Sequence, residues 1–138
     1  MNREELKRIM PHREPMLLLD EAERTEENKG RASYTVKGDE FFLQGHFPGN
    51  PVVPGVIQCE MMAQACAVLL GGEVKGTPYY TGIKEAKFRQ MVKPGDVLEI
   101  ETEIVRSRKP FYFAKAKVKV GGKVHSEAEL SFAVVEDK

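Results

Sequence analysis

The chain has 138 residues, enough for one ordinary domain with a single core and too few for two, so one domain over residues 1–138 is expected. Hydrophobic and charged fractions of 41% and 30% belong to a soluble globular protein, and no apolar run approaches the ~20 residues of a membrane span. Lys plus Arg and Asp plus Glu both total 21, a balance that argues against bulk nucleic-acid binding.

Residues 1–10 mix charges of both signs and lack an apolar signal core, so a cytoplasmic location is expected. Asn2 can cap a short helix over residues 3–10, stopped by Pro11. The apolar run 16–19 and the polar residues after it predict a strand and a turn closed by Asn28, Lys29 and Gly30. Residues 31–37 then alternate, with Ala32, Tyr34 and Val36 on one face, as the second arm of a hairpin. Residues 40–54 are too rich in Gly and Pro for regular structure and too apolar to float in solvent, so they form a loop packed on the core.

A helix begins at Pro54-Gly55 and ends at the Gly71-Gly72 pair, which suits a C-terminal left-handed cap. It has almost no polar face, the pattern of a helix buried on all sides. The remainder predicts four strands, 79–88, 97–106, 111–120 and 123–135, joined by hairpin turns. In the third, Ala114, Ala116, Val118 and Val120 alternate with Lys115, Lys117 and Lys119, so one face is dry and the other wet. Six strands in one antiparallel sheet wrapped around an apolar helix make an α+β fold.

Glu60 interrupts the apolar helix. A charged, unpaired carboxylate in dry surroundings is costly, so Glu60 is either paired with a buried Lys or Arg or used as an acid. Gln64, one turn on, is either its hydrogen-bond partner or a surface contact. His46 lies in the sequence GHFPGNP, whose Gly and Pro residues stiffen the backbone around one imidazole; it is either structural or a base. His12 reads as a hydrogen-bonded loop residue and His125 as a solvated strand residue.

No histidine stands at metal-ligand spacing from another, and no Cys or carboxylate cluster completes a metal site. Cys59 and Cys66 read as reduced core residues. A base at His46, an acid at Glu60 and the free N–H groups where the helix starts at Gly55 and Val56 are together what an enolate-forming reaction requires.

Four stretches, MPHREPMLLLD at 10–20, LQGHFPGNPVVPGV at 43–56, the pattern E-x-M-A-Q from Glu60 to Gln64, and YYTGIKEAKFRQMVKPGD at 79–96, resemble the FabZ-type 3-hydroxyacyl-[acyl-carrier-protein] dehydratases of type II fatty acid synthesis. The resemblance implies the hot-dog fold, an antiparallel sheet around a long central helix. It implies a homodimer joined sheet edge to sheet edge, assembled as a trimer of dimers into a homohexamer. The site it implies lies between subunits, with His46 of one as the base for the C2 proton of a (3R)-hydroxyacyl thioester. Glu60 of the other would help the C3 hydroxyl leave as water, giving a trans-2-enoyl thioester.

By the same resemblance the amide at Gly55, with Val56 beside it, holds the thioester carbonyl, and Gln64 supports Glu60. No cofactor or metal is implied, because the acyl chain rides on the phosphopantetheine arm of acyl carrier protein. That acidic partner calls for a basic surface, for which Lys84, Lys87, Arg89, Lys93, Arg106, Arg108 and Lys109 are available. Phe41, Phe42, Met61 and Met62 are either tunnel lining or core. Dehydratase-isomerases of the FabA type resemble an Asp at the Glu60 position, so Glu favours plain dehydration. Other readings of the same residues are a bifunctional dehydratase/isomerase, a hot-dog acyl thioesterase in which a carboxylate activates water, and a non-catalytic acyl-binding module.

Overall fold

A computed structural model describes residues 1–70 and 77–135. Its α-helices are α1 (Arg3–Leu6) and α2 (Gly55–Val68), one 3-10 turn at Phe41–Leu43 interrupts the expected loop over 40–54, and its strands are β1 (Glu21–Glu26), β2 (Lys29–Thr35), β3 (Thr77–Phe88), β4 (Val97–Arg108), β5 (Phe111–Val120) and β6 (Lys123–Val135). The six strands form one antiparallel sheet in the order β1-β2-β4-β5-β6-β3, against which α2 packs. This is the expected α+β architecture. The Gly71-Gly72 cap lies outside the described residues.

A row of small inward-facing residues lets α2 come close. Gly30, Thr102, Ala116 and Ala128 are register partners across β2, β4, β5 and β6. A Cβ at Gly30 would lie 2.8 Å from Leu69 Cδ2 and 3.1 Å from the Glu23 carbonyl oxygen. Gly30 therefore belongs to β2 rather than to the turn, which is Glu27-Asn28. Around this row Leu98, Ile100, Val118, Met61, Met62 and Cys66 are fully enclosed.

Three further expectations change. Asn2 caps α1 in a reciprocal capping box with Glu5, but the helix stops at Leu6. Residues 16–19 are not a strand, because side chains take their backbone groups. Gln64 accepts from the Leu18 amide and donates to the Met16 carbonyl, and the Arg3 guanidinium donates to the carbonyls of Leu17 and Leu19. His125 is buried instead of solvated. The register passes from Val118↔Ser126 to Lys119↔Val124, so His125 is the extra residue of a β-bulge. It turns inward, with Nδ1 3.1 Å from the Met91 carbonyl oxygen.

The helix is not buried on all sides either. Val56, Glu60, Ala63 and Ala67 are its incompletely covered residues on one side, spaced as a single stripe along α2. The two sheet edges also differ. β1 is short and charged, features that discourage further pairing, whereas β3, bulged like β1, runs 12 residues and exposes Tyr79, Tyr80, Ile83 and Phe88.

The contact at Gly30 has a measurable consequence. Gly30→Val should destabilise the fold by about 1–3 kcal/mol through overpacking against Leu69 and the β1 backbone. Urea denaturation checks this, and a midpoint equal to that of the wild type would show that the helix can back away freely.

Candidate active site

His46 is held from several directions. Its backbone N–H donates to the Leu43 carbonyl and its own carbonyl accepts from the Val52 amide, while Phe47 and Asn50 exchange backbone hydrogen bonds across a tight turn. Gly49 sits in that turn at φ +74°, a conformation open to glycine. The ring Nδ1 lies 2.9 Å from the Val52 carbonyl oxygen, and Phe47 stacks on the imidazole with centroids 4.3 Å apart. A carbonyl can only accept, so Nδ1 carries the hydrogen and Nε2 is left with a lone pair.

The loop feeds α2 directly. Val53 donates to the Val92 carbonyl, and the first intrahelical bonds run from Ile57 and Gln58 to the Pro54 carbonyl. Among the described residues the amides of Gly55 and Val56 have no hydrogen-bond acceptor at the helix start, where the backbone dipole favours negative charge. Gly55 is required by the Phe88 ring, two of whose atoms lie 2.9 Å from where a Cβ would sit. Val56 is 77% exposed, unusual for a branched apolar side chain.

Glu60 opens into a pocket of about 70 Å³ lined by His12, Ala63, Gln64, Ala67, Pro78, Tyr79, Tyr80 and Phe132. Its Oε2 accepts a 2.9 Å hydrogen bond from Gln64 Nε2 and lies 3.5 Å from His12 Nε2. No Lys or Arg pairs with it among the described residues, which removes the simplest structural account of a carboxylate here. Gln64 is 1% exposed and also holds Met16 and Leu18, so it is a buried bracket and not a surface contact.

Sequence reasoning passed over two residues at this pocket. His12 looked like loop structure, and Tyr80 lay unremarked within the strand expected over 79–88. Tyr80 donates its hydroxyl to the Cys59 carbonyl at 2.9 Å, and burial first, then the nearby Glu60 charge, holds that phenol protonated well above its ordinary range. The placement of the first proline-flanked histidine ahead of the apolar run was the only available signal for His12. No hydrogen bond or ion pair joins His46 to Glu60 among the described residues.

Other chemistries find less support. Burial pushes the Cys66 thiol up to about 12 and raises that of Cys59, so neither is a ready nucleophile. No group of three or more His, Cys, Asp or Glu suited to a metal ion occurs among the described residues. Met61, Met62 and Phe42 are core, while Phe41 is 44% exposed. No helix among the described residues is long and apolar enough to cross a membrane.

A single sheet curved over one long helix, with this site at the helix start, defines a hot-dog domain, and a family model described as the FabA-like domain matches residues 10–129. In fold the chain is similar to the dehydratase heterocomplex ApeI:P from Xenorhabdus doucetiae, with TM-score 0.84 and 23% identity over 96% of this chain and 91% of that one. It is also similar to the E. coli PaaI protein from the phenylacetic acid degradation operon, with TM-score 0.66 and 13% identity over 82% and 81%.

In sequence it is 44% identical to the 3-hydroxyacyl-[acyl-carrier-protein] dehydratase FabZ of Clostridium perfringens, over 97% of this chain and 99% of that protein. It is 47% identical to the protein of the same name from Caldicellulosiruptor bescii, over 96% and 98%. The chain belongs to the FabZ-type 3-hydroxyacyl-[acyl-carrier-protein] dehydratase family.

Because Gln64 satisfies two backbone groups as well as Glu60, Gln64→Leu should cost about 2–4 kcal/mol, the range for orphaning buried hydrogen-bonding groups. Thermal or urea unfolding measures it; a loss below that of an ordinary surface substitution would contradict the bracket.

Proposed function

We propose that the protein removes water from (3R)-hydroxyacyl thioesters carried on acyl carrier protein, giving trans-2-enoyl thioesters in fatty acid biosynthesis. The observation that carries this reading is the division of labour between two anchored groups. His46 keeps its Nε2 lone pair free because Nδ1 is committed to Val52. Glu60 has Gln64 and His12 at Oε2, with the Tyr80 hydroxyl close to the same carboxylate.

In the reaction, Nε2 of His46 takes the C2 proton, and the electrons of that bond move toward the thioester carbonyl. The developing oxyanion is met by the amide N–H groups of Gly55 and Val56. Glu60 gives a proton to the C3 hydroxyl, the C3–O bond breaks, water leaves, and the C2–C3 double bond forms. No metal or organic cofactor takes part.

Each site is assembled from two copies of the chain, His46 from one and Glu60 from its partner. Supporting this are the exposed apolar residues of β3, the open stripe of α2 with Val56 at its head, and the lack of a hydrogen bond or ion pair between the two groups among the described residues of one chain. Dimerisation through β3 would cover Tyr79, Ile83 and Phe88. A homohexamer made of three such dimers, located in the cytoplasm, completes the reading.

Acyl carrier protein docks on the basic turn between β4 and β5. Of the two basic clusters in the sequence, the one at Lys84, Lys87, Arg89 and Lys93 has carboxylates set against it: Lys84 and Lys87 stand in register with Glu129 and Glu127, and Arg89 holds Glu127 at 3.1 Å. Arg106 covers the Phe113 ring, while Arg108 and Lys109 are exposed and form no ion pair among the described residues. Register places this turn beside the Glu60 pocket, since Phe111 pairs with Ala133 and Ala133 with Tyr79.

His46→Ala and Glu60→Gln should each abolish enoyl thioester formation while the oligomer survives. Mixing and reassembling the two inactive variants should restore up to about a quarter of the sites, the statistical share of intact pairs. Spectrophotometry of the conjugated product reads both; activity retained in either single variant would refute the assignment, and no recovery on mixing would refute the shared site. A second expectation is that Arg108→Glu combined with Lys109→Glu raises KM for the carrier-bound substrate roughly 10-fold and leaves a small thioester substrate unaffected. Equal effects on both substrates would place docking elsewhere.

A further inference from the structure

The contacts around Glu60 leave His12 to be explained. Its loop is anchored at both ends. The Arg13 guanidinium donates to the carbonyls of Lys7, Met10 and His12, at 3.1, 2.9 and 2.7 Å. Farther along, Met16 donates to the Arg13 carbonyl and accepts from Gln64. The side chain that holds Glu60 thus also fixes the segment presenting His12. About one-fifth of each side chain, His12 and Glu60, is exposed.

The imidazole has one nitrogen, Nε2, 3.5 Å from Glu60 Oε2, and the other, Nδ1, sealed from solvent with no hydrogen-bond partner among the described residues. A hydrogen on Nδ1 would be a buried donor with nothing to accept it, whereas a hydrogen on Nε2 faces a carboxylate oxygen. The tautomer with hydrogen on Nε2 is therefore the favoured one. His46 has the opposite arrangement, its Nδ1–H taken by Val52.

We infer that His12 is a positioning residue for the acid: its Nε2–H and the Gln64 amide together saturate Oε2 of Glu60, confining the transferable proton to Oε1. A carboxyl group with its proton free to move between oxygens would present the wrong one to the substrate part of the time. With the Gln64 amide donating to Oε2 and His12 Nε2 3.5 Å from the same atom, the proton is left to Oε1. After it gives up its proton, the carboxylate remains stabilised by both donors. The inference rests on the dehydratase reading and adds to it a residue that does not touch the reacting atoms.

Two variants and one spectroscopic measurement test it. His12→Leu removes the donor, and His12→Gln returns an amide N–H near the position of Nε2. His12→Leu should lower kcat roughly 10- to 100-fold with KM within about 2-fold, and His12→Gln should recover most of the loss. Equal losses in both variants, or an unchanged kcat in His12→Leu, overturn the inference.

Because His12→Leu can also fail to fold, the wild-type protein supplies the third measurement. In 15N spectra of histidine-labelled protein, assigned by the signal lost in His12→Gln, His12 should be the Nε2–H tautomer, with His46 and His125 as Nδ1–H. A His12 signal from the Nδ1–H form overturns the inference. If the wild type makes no enoyl thioester, the dehydratase reading and this role fall together; if it does and His12→Leu keeps its kcat, this role alone falls.

Discussion

One buried amide ties the site to the fold. Gln64 sits on α2, yet its hydrogen bonds reach the Leu18 amide, the Met16 carbonyl and the Glu60 carboxylate. A side chain with so little solvent access cannot exchange those partners for water, so all three are obligatory. The segment before β1 consequently runs against the helix as an irregular strap, burying Leu17, Leu18 and Leu19 without forming a strand. His12 arrives at Glu60 along that strap. The structural bracket and the support of the Glu60 carboxylate are the same interaction, and the core cannot be rearranged there without disturbing that carboxylate.

The same helix explains how a carboxylate is accommodated among apolar residues. Most of α2 is enclosed by the curved sheet, with small residues at Gly30, Ala116 and Ala128 making room. The stripe through Val56, Glu60, Ala63 and Ala67 is left incompletely covered. Glu60 lies on that stripe, about a fifth exposed and hydrogen-bonded, and so avoids the full penalty of a buried lone charge. An open helix stripe and the outer edge of β3, last in the described sheet and exposing Tyr79, Ile83 and Phe88, are both surfaces that a second copy of the chain can cover.

The outer face of the sheet follows a different rule. β4 carries Glu99, Glu101 and Glu103, opposite Lys119, Lys117 and Lys115 on β5; Lys117 and Lys115 in turn pair with Glu127 and Glu129 on β6, and those with Lys87 and Lys84 on β3. Each strand contributes one sign and each neighbour the other. A slip by one residue would expose the core face and bury these charges, so the pattern defends the register. It also gives the zero net charge a structural meaning: the basic side chains of this face stand opposite carboxylates, while the β4–β5 turn carries Arg108 and Lys109 exposed.

Much of this was legible in the residues themselves. Alternation marked β5 and β6, turn residues set their limits, and Gly and Pro identified the His46 loop, because these are local signals carried by neighbouring side chains. Glu60 stood out because a single acid in an apolar helix violates the local pattern. What only the tertiary structure decided was which distant groups meet. The bulge that turns His125 inward, the capture of residues 16–18 by Gln64, and the arrival of His12 at Glu60 all depend on how strands register and how the helix docks. The sequence by itself determined the elements and the reactive groups, since periodicity and backbone preference act between near neighbours. The neighbours of those groups were decided by packing between segments far apart in the chain, which no local pattern encodes.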